Sequence, residues 1–152
     1  MDVFTLLKQD HAQASEMLQQ LEATDAAAER QRIFNELKQA LDVHAHIEET
    51  IFYPLLKQEA ETREITVEAY EEHQEVKDLL QQLSGTQPEG TAWENLVSDL
   101  KRAIHHHVKE EETEMFPKAS GVLSQQQLTE LGTRMQQEKQ QQQQQLKAAS
   151  AG

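Results

Sequence analysis

Cysteine is absent from the 152-residue chain, which removes disulfides, thiolate zinc sites, iron-sulfur clusters and thiol nucleophiles together. Any metal held by side chains here takes His, Asp or Glu ligands. Five glycines, three prolines and 5% aromatics leave little material for a turn-rich β architecture; the abundant Glu, Gln, Leu, Ala and Lys favour helices. Basic residues are a minority, 14 Lys and Arg against 27 Asp and Glu, for a formal net charge of -13. That balance disfavours nucleic acid and anionic membrane surfaces as partners, because affinity for phosphates comes chiefly from Lys and Arg. No run approaches the ~18 apolar residues of a membrane helix. The segment from Met1 to Asp10 lacks a basic region followed by an apolar stretch, so no signal peptide is expected and a cytoplasmic location is. Against these shortages stand seven histidines.

Helical periodicity divides the chain into four long pieces and a tail. The first starts behind Asp2 as N-cap and places Phe4, Leu7, His11, Ala14, Leu18 and Leu21 on one stripe. The second runs from about Asp25 to Gln58, with Ile33, Leu37, Leu41, His44, Glu48, Ile51 and Leu55 in line and Pro54 near its end as a kink or stop. The third carries Ala69, His73, Val76, Leu80 and Leu83 and stops at Ser84-Gly85. Thr91 with Glu94 reads as a capping box for the fourth, whose stripe is Leu96, Leu100, Ile104, His107, Glu111 and Met115 up to Pro117. Short connections favour antiparallel neighbours, so the expected fold is all-α, an up-down-up-down four-helix bundle over residues 1–120. Residues 121–152 form an extension: a short helix capped by Ser124 and Gln127, presenting Leu128, Leu131 and Met135, then a glutamine run without an apolar face that is expected to fray.

The second and fourth pieces carry the same pattern at an offset of 63: His44, Glu48 and Pro54 map onto His107, Glu111 and Pro117. The first and third match at an offset of 62, with His11, Leu18 and Leu21 on His73, Leu80 and Leu83. Two related hairpins bring His11, His44, Glu48, His73, His107 and Glu111 to similar depths on apolar stripes, where charge is costly unless paired or bound to metal. In His-x-x-x-Glu the side chains are one helical turn apart and reach neighbouring points. A nitrogen and oxygen donor set of this kind suits iron, manganese or zinc better than calcium or magnesium. A buried His/Glu ion-pair network accounts for the burial but not for the repeated spacing. Glu49, Asp10 and Glu72 are candidate partners of the imidazole N–H groups. His46, His105 and His106 fall off the stripes, and of the acidic run 110 to 114 only Glu111 faces inward.

This constellation resembles the hemerythrin-like family, specifically its HHE cation-binding domains, over residues from about 2 to 118. The resemblance implies His11, His44, His73 and His107 as terminal ligands and Glu48 and Glu111 as carboxylates bridging two iron ions, zinc or manganese being the alternatives. It also implies O2, NO or peroxide as the small ligand, for sensing, storage or detoxification; a di-iron enzyme of peroxidase, catalase or oxidase type and an iron-responsive interaction module are the other readings. Ferritin-like di-iron bundles use Glu-x-x-His instead, and the residues three before the four histidines are Lys8, Leu41, Tyr70 and Ile104. Oxygen-carrying hemerythrins have a second His four residues after the helix-three ligand, where this chain has Lys77. Water, an exogenous ligand or Tyr70, one turn before His73, is the expected substitute.

Overall fold

A computed structural model of the chain describes residues 1–151, and no strand occurs among them. Helix α1 spans Val3–Ala23 and α2 spans Ala27–Ile47; α2 continues through a π-turn, Glu48–Phe52, into α3, Tyr53–Gln58. Helix α4 covers Ala60–Ser84, and α5, Gly90–Glu110, passes through a second π-turn, Glu111–Met115, into α6, Phe116–Val122. Helix α7 spans Gln125–Ala151. The first four long helical stretches make the expected antiparallel bundle, with α1 against α2 and α4 against α5.

Several ends follow the local chemistry read above. The Asp2 carboxylate accepts from Thr5 N at 2.9 Å, and Ser124 and Gln127 form a reciprocal box, Ser124 N to Gln127 Oε1 at 2.8 Å and Gln127 N to Ser124 Oγ at 3.1 Å. The Thr91 box does not form. Helix α5 starts one residue earlier behind Glu89 without a side-chain cap, because Gly90 takes φ +84° and turns the chain into the helix before Thr91.

Both π-turns begin at the Glu of a His-x-x-x-Glu pair. An i→i+5 turn inserts one residue into the 3.6-residue register, so everything downstream rotates. The expected stripe residues Ile51 and Leu55 are therefore only half-buried, and their successors Phe52 and Leu56 are fully buried in their place. The kink expected at Pro54 is this π-turn. The Glu49 carbonyl, which Pro54 five residues on has no N–H to serve, accepts the Tyr70 hydroxyl at 3.3 Å.

Two apolar clusters sandwich a polar layer. One, at the end with loops 24–26 and 85–89, contains Leu18, Leu21, Phe34, Leu37, Leu80, Leu83, Trp93 and Leu100, and buried Arg30 ties those loops together by donating to Thr24 O at 2.9 Å and Pro88 O at 3.3 Å. The other contains Val3, Leu7, Phe52, Leu56, Met115, Phe116 and Ala119 together with Leu128, Leu131 and Met135 of α7.

The C-terminal region departs from expectation. In place of a short helix and a frayed tail, α7 runs continuously through the glutamine stretch and lies along α1 and α2. Its anchor is the apolar face of Leu128, Leu131 and Met135, and ionic ties replace apolar contacts further on: Glu138 accepts from His46 at 3.0 Å and Lys139 from α7 meets Asp10 at 2.5 Å. Gly132 lets α7 approach the start of α1, since a Cβ there would lie 2.3 Å from Met1 O and 2.8 Å from Asp2 C. Both are backbone atoms that cannot swing aside. Gly132→Ala is expected to destabilise the fold by about 1–3 kcal/mol despite its better helix propensity, read as a lower urea midpoint; an unchanged or higher midpoint would contradict this close approach.

Candidate metal centre

The polar layer consists of the six residues picked out by the repeat. His11 lies on α1, His44 on α2, His73 on α4 and His107 on α5, with Glu48 and Glu111 at the α-to-π junctions, and all six are buried, Glu48 to 0% exposure. They form two four-residue groups: His11, His44, Glu48 and Glu111, and Glu48, His73, His107 and Glu111. Within each group one donor atom per residue lies within 4.8 Å of the others. Both carboxylates belong to both groups, which is the arrangement two bridging carboxylates require.

Imidazole Nε2 atoms face inward. His44 and His73 Nε2 are each 3.0 Å from Glu48 Oε1, His11 Nε2 is 3.0 Å from Glu111 Oε1, and His107 Nε2 is 3.2 Å from Glu111 Oε2. Four buried atoms nonetheless lack a hydrogen bond: His11 Nε2, His44 Nε2, Glu48 Oε2 and Glu111 Oε1. Each member of the His11/His44 group thus contributes one, and the short His–Glu distances there are not aligned as hydrogen bonds. Orphaned buried polar atoms are costly, so four converging from one group fit a cation that takes their lone pairs.

Every imidazole Nδ1 is held by a carboxylate from a neighbouring helix. His44 Nδ1 donates to Asp10 at 2.9 Å, His107 Nδ1 to Glu72 at 2.7 Å, His73 Nδ1 to Glu49 at 2.7 Å and His11 Nδ1 to Glu112 at 2.6 Å. This fixes each ring so that Nε2 presents to the centre. The pattern obeys the repeat twice over. Asp10 and Glu72 precede the His of their own helices and serve the hairpin partner, and Glu49 and Glu112 follow the inward Glu and serve the opposite hairpin. Glu112, read from the sequence as solvated, is the correction here; its equivalence to Glu49 at the offset of 63 was the available signal. Glu112→Gln is expected to weaken metal binding about 10- to 100-fold without unfolding the bundle, measured by competition with a chelator. Wild-type affinity in that variant would show that the ring needs no such support.

A residue missed from the sequence completes the layer. The Tyr53 hydroxyl, fully buried, donates to Glu111 Oε2 and lies 3.1 Å from Glu48 Oε1, 3.3 Å from His73 Nε2 and 3.4 Å from His107 Nε2. Tyr70, one of the three candidates for the place of a fifth histidine, is spent on the Glu49 carbonyl. Lys77 does not reach the centre either. Its Nζ contacts both Glu49 oxygens, at 3.1 and 3.0 Å, and so backs the carboxylate that holds His73. His46 and His106 lie outside the layer, His46 on Glu138 and His106, 69% exposed, between Glu72 and Glu110; His105 is exposed.

Charge in the metal-free layer is shared between imidazolium and carboxylate. Burial lowers the His44 pKa, but the charges of Glu48 and Glu111 and the bonds to Asp10 and Glu48 outweigh it and raise it to about 10. Burial likewise opposes protonation of His107 and His73, which their carboxylate partners raise nonetheless. Burial works to raise Glu48, yet His44, His107 and His73 hold it well below the usual carboxylate range. Burial first, and then the charges of Glu111 and Glu48, push the Tyr53 phenol well up.

Known proteins are similar to this chain in sequence and fold. The sequence profile of the Hemerythrin HHE cation binding domain matches residues 2–119. Among curated proteins, a Nostoc DNA nickase is 26% identical over 139 residues, 90% of this chain but 38% of that protein's length, so the chain spans well under half of it. An uncharacterized protein of Mycobacterium tuberculosis is 29% identical over 137 residues, 89% of this chain and 83% of that one. The crystal structure of an HHE cation-binding domain-containing homologue from Mycobacterium kansasii superposes with a TM-score of 0.84 at 27% identity, covering 93% of this chain and 87% of that one.

Proposed function

Since this chain belongs to the hemerythrin HHE cation-binding domain family, we propose that its two donor groups hold a pair of iron ions bridged by Glu48 and Glu111. The pair would bind or react with O2, NO or peroxide in sensing, storage or detoxification. The observation that carries this reading is the sharing of both carboxylates between the two groups, with one orphaned donor atom on each residue of the His11/His44 group. Bound there, iron supplies electrons and an open coordination position to a small oxidant.

The residues of the chain do the rest. The four Nδ1 contacts hold the rings, and the two apolar clusters cover the layer above and below. Tyr53 closes the His73/His107 side with a hydroxyl, whereas Phe116 lies over His11 at a ring distance of 6.3 Å and offers no donor. The small ligand is therefore assigned to the His11/His44 side. Iron analysis of chain loaded under reducing conditions should give about two ions per chain, with an optical spectrum that changes on adding azide or peroxide. A stoichiometry of one, or a spectrum indifferent to both, would refute the proposal.

Tyr53 favours one second reading, an enzyme acting on peroxide, because its hydroxyl proton lies within hydrogen-bond reach of the donor layer. Oxygen evolution from peroxide that falls in Tyr53→Phe while iron content holds would support it; a rate unchanged by that substitution would remove the role for Tyr53.

A further inference from the structure

A cavity of about 910 Å³ opens between α1, α2, α4, α5 and α7 and has His11, His44, His73 and His107 at its floor. Its size is out of proportion to a diatomic gas or peroxide, since a water molecule takes up only ~30 Å³. It falls instead within the roughly 300–1,000 Å³ of sites for drug-sized organic ligands. The apolar part of its wall includes Met17 of α1, Leu41 of α2, Val76 and Leu80 of α4 and Ile104 of α5, and the α7 side carries three glutamines, Gln140, Gln143 and Gln144. The lining stretch of α4, from His73 to Leu80, is on the order of 10 Å long at the helical rise.

The charges at the mouth sort cleanly. Asp10 is paired with Lys139 and His44, Glu36 with Arg32, Asp42 with Lys38, and Lys77 with Glu49. Lys147 of α7 lines the same cavity and makes no ion pair among the described residues. On a chain of net charge -13, an unpaired cation at the end of a mainly apolar cavity selects a negative head group.

We propose that this cavity binds a single-chain anionic amphiphile, a medium-chain fatty-acid carboxylate, with its head at Lys147 and its alkyl tail lying along Met17, Leu41 and Leu80 toward the histidines. The binding rests on the walls and on Lys147. What it means at the floor rests on the metal reading above: an alkyl chain would be brought to a centre able to react with oxidants.

Calorimetric titration of the full chain, metal-free and iron-loaded, with octanoate, decanoate and dodecanoate tests it. Saturable binding is expected in both forms, tightening about three- to fourfold per added methylene until the shaft is filled. Ala40→Trp, a half-buried lining position outside the metal layer, should weaken decanoate about tenfold or more by occupying the shaft. Lys147→Glu should weaken decanoate about threefold or more and leave decanol unchanged. Absence of saturable binding in both forms would overturn the proposal. So would affinity independent of chain length, binding confined to the iron-loaded chain, or indifference to Ala40→Trp. Iron content of the same preparations separates the two readings: iron without decanoate binding sinks this one alone, and decanoate binding without iron sinks only the metal centre.

Discussion

Glu111→Ala is expected to cut bound iron from about two ions per chain to one or fewer. Glu111 lies 3.0 Å from His11 Nε2 and 3.2 Å from His107 Nε2, and the Tyr53 hydroxyl donates to it, so one side chain serves both donor groups. No other carboxylate in the layer substitutes for it: Glu48 is already shared, and Glu112 faces the outer nitrogen of His11. The loss also reaches the metal-free fold. Removing one partner of a buried ion pair costs about 3–5 kcal/mol, because the other is left charged and dry or must give up its proton. Melting of the metal-free variant should therefore fall sharply at neutral pH, where burial disfavours a charged His107 once the carboxylate that raised its pKa is gone. Glu111→Gln separates the two effects, since it keeps the packing and loses the bridge. Two tightly bound irons in both variants would remove Glu111 from the centre.

Proton release on metal uptake is the second large effect. Burial disfavours the charged forms of His44, His107 and His73, but their carboxylates raise all three, and a ligating imidazole must be unprotonated at the nitrogen it gives to the metal. Metal and proton thus compete for the same lone pairs. His44 has a raised folded pKa of about 10 against an ordinary 6.5, so its contribution to metal-free stability is complete below 6.5 and disappears as pH rises through about 10. Glu48 runs the other way: its contribution is present above the ordinary 4.5 and is lost as pH falls toward its depressed folded value. Metal-free protein should be most stable between those ordinary values and weaken on the alkaline side. Metal-loaded protein, its imidazoles held neutral, should not follow that alkaline decline. The gap in melting temperature between the two forms should accordingly widen from about pH 6 to about pH 9. Calorimetric uptake in buffers of different ionisation enthalpy should report net proton release; uptake with no released proton would contradict the charge state assigned to the histidines.

Most of this architecture could be read from spacing. Apolar stripes at helical period located the four bundle helices, and the offset of 63 identified both His-x-x-x-Glu pairs because a repeat of polar residues on an apolar face is hard to explain by packing. Part of what could not be read traces to one local event. Five residues along a regular helix turn through about 500°, which leaves Tyr53 some 140° away from Glu48. The π-turn beginning at Glu48 brings it back, so a search by α-helical period offered Tyr70 as the one candidate side chain and misplaced Ile51 and Leu55 for Phe52 and Leu56. The glutamine stretch misled for a different reason. It has no apolar face of its own, and its helix is carried past the end of its hydrophobic anchor by contacts at Glu138 and Lys139 that only the tertiary structure supplies.

The two halves of the centre are not copies. At the same offset, Tyr53 of one π-turn corresponds to Phe116 of the other; the first ring lies 5.2 Å from His73 and the second stacks parallel to His11 at 6.3 Å. The Tyr53 oxygen is one of the differences between the halves, beside Lys77 on Glu49 and Lys139 on Asp10, neither of which has a counterpart on Glu112 or Glu72 among the described residues. Phe116→Tyr would add a hydroxyl on the side proposed above for the small ligand, and Tyr53→Phe would remove the one on the other side. Together the two variants would tell whether the hydroxyl makes metal affinity differ between the two donor groups.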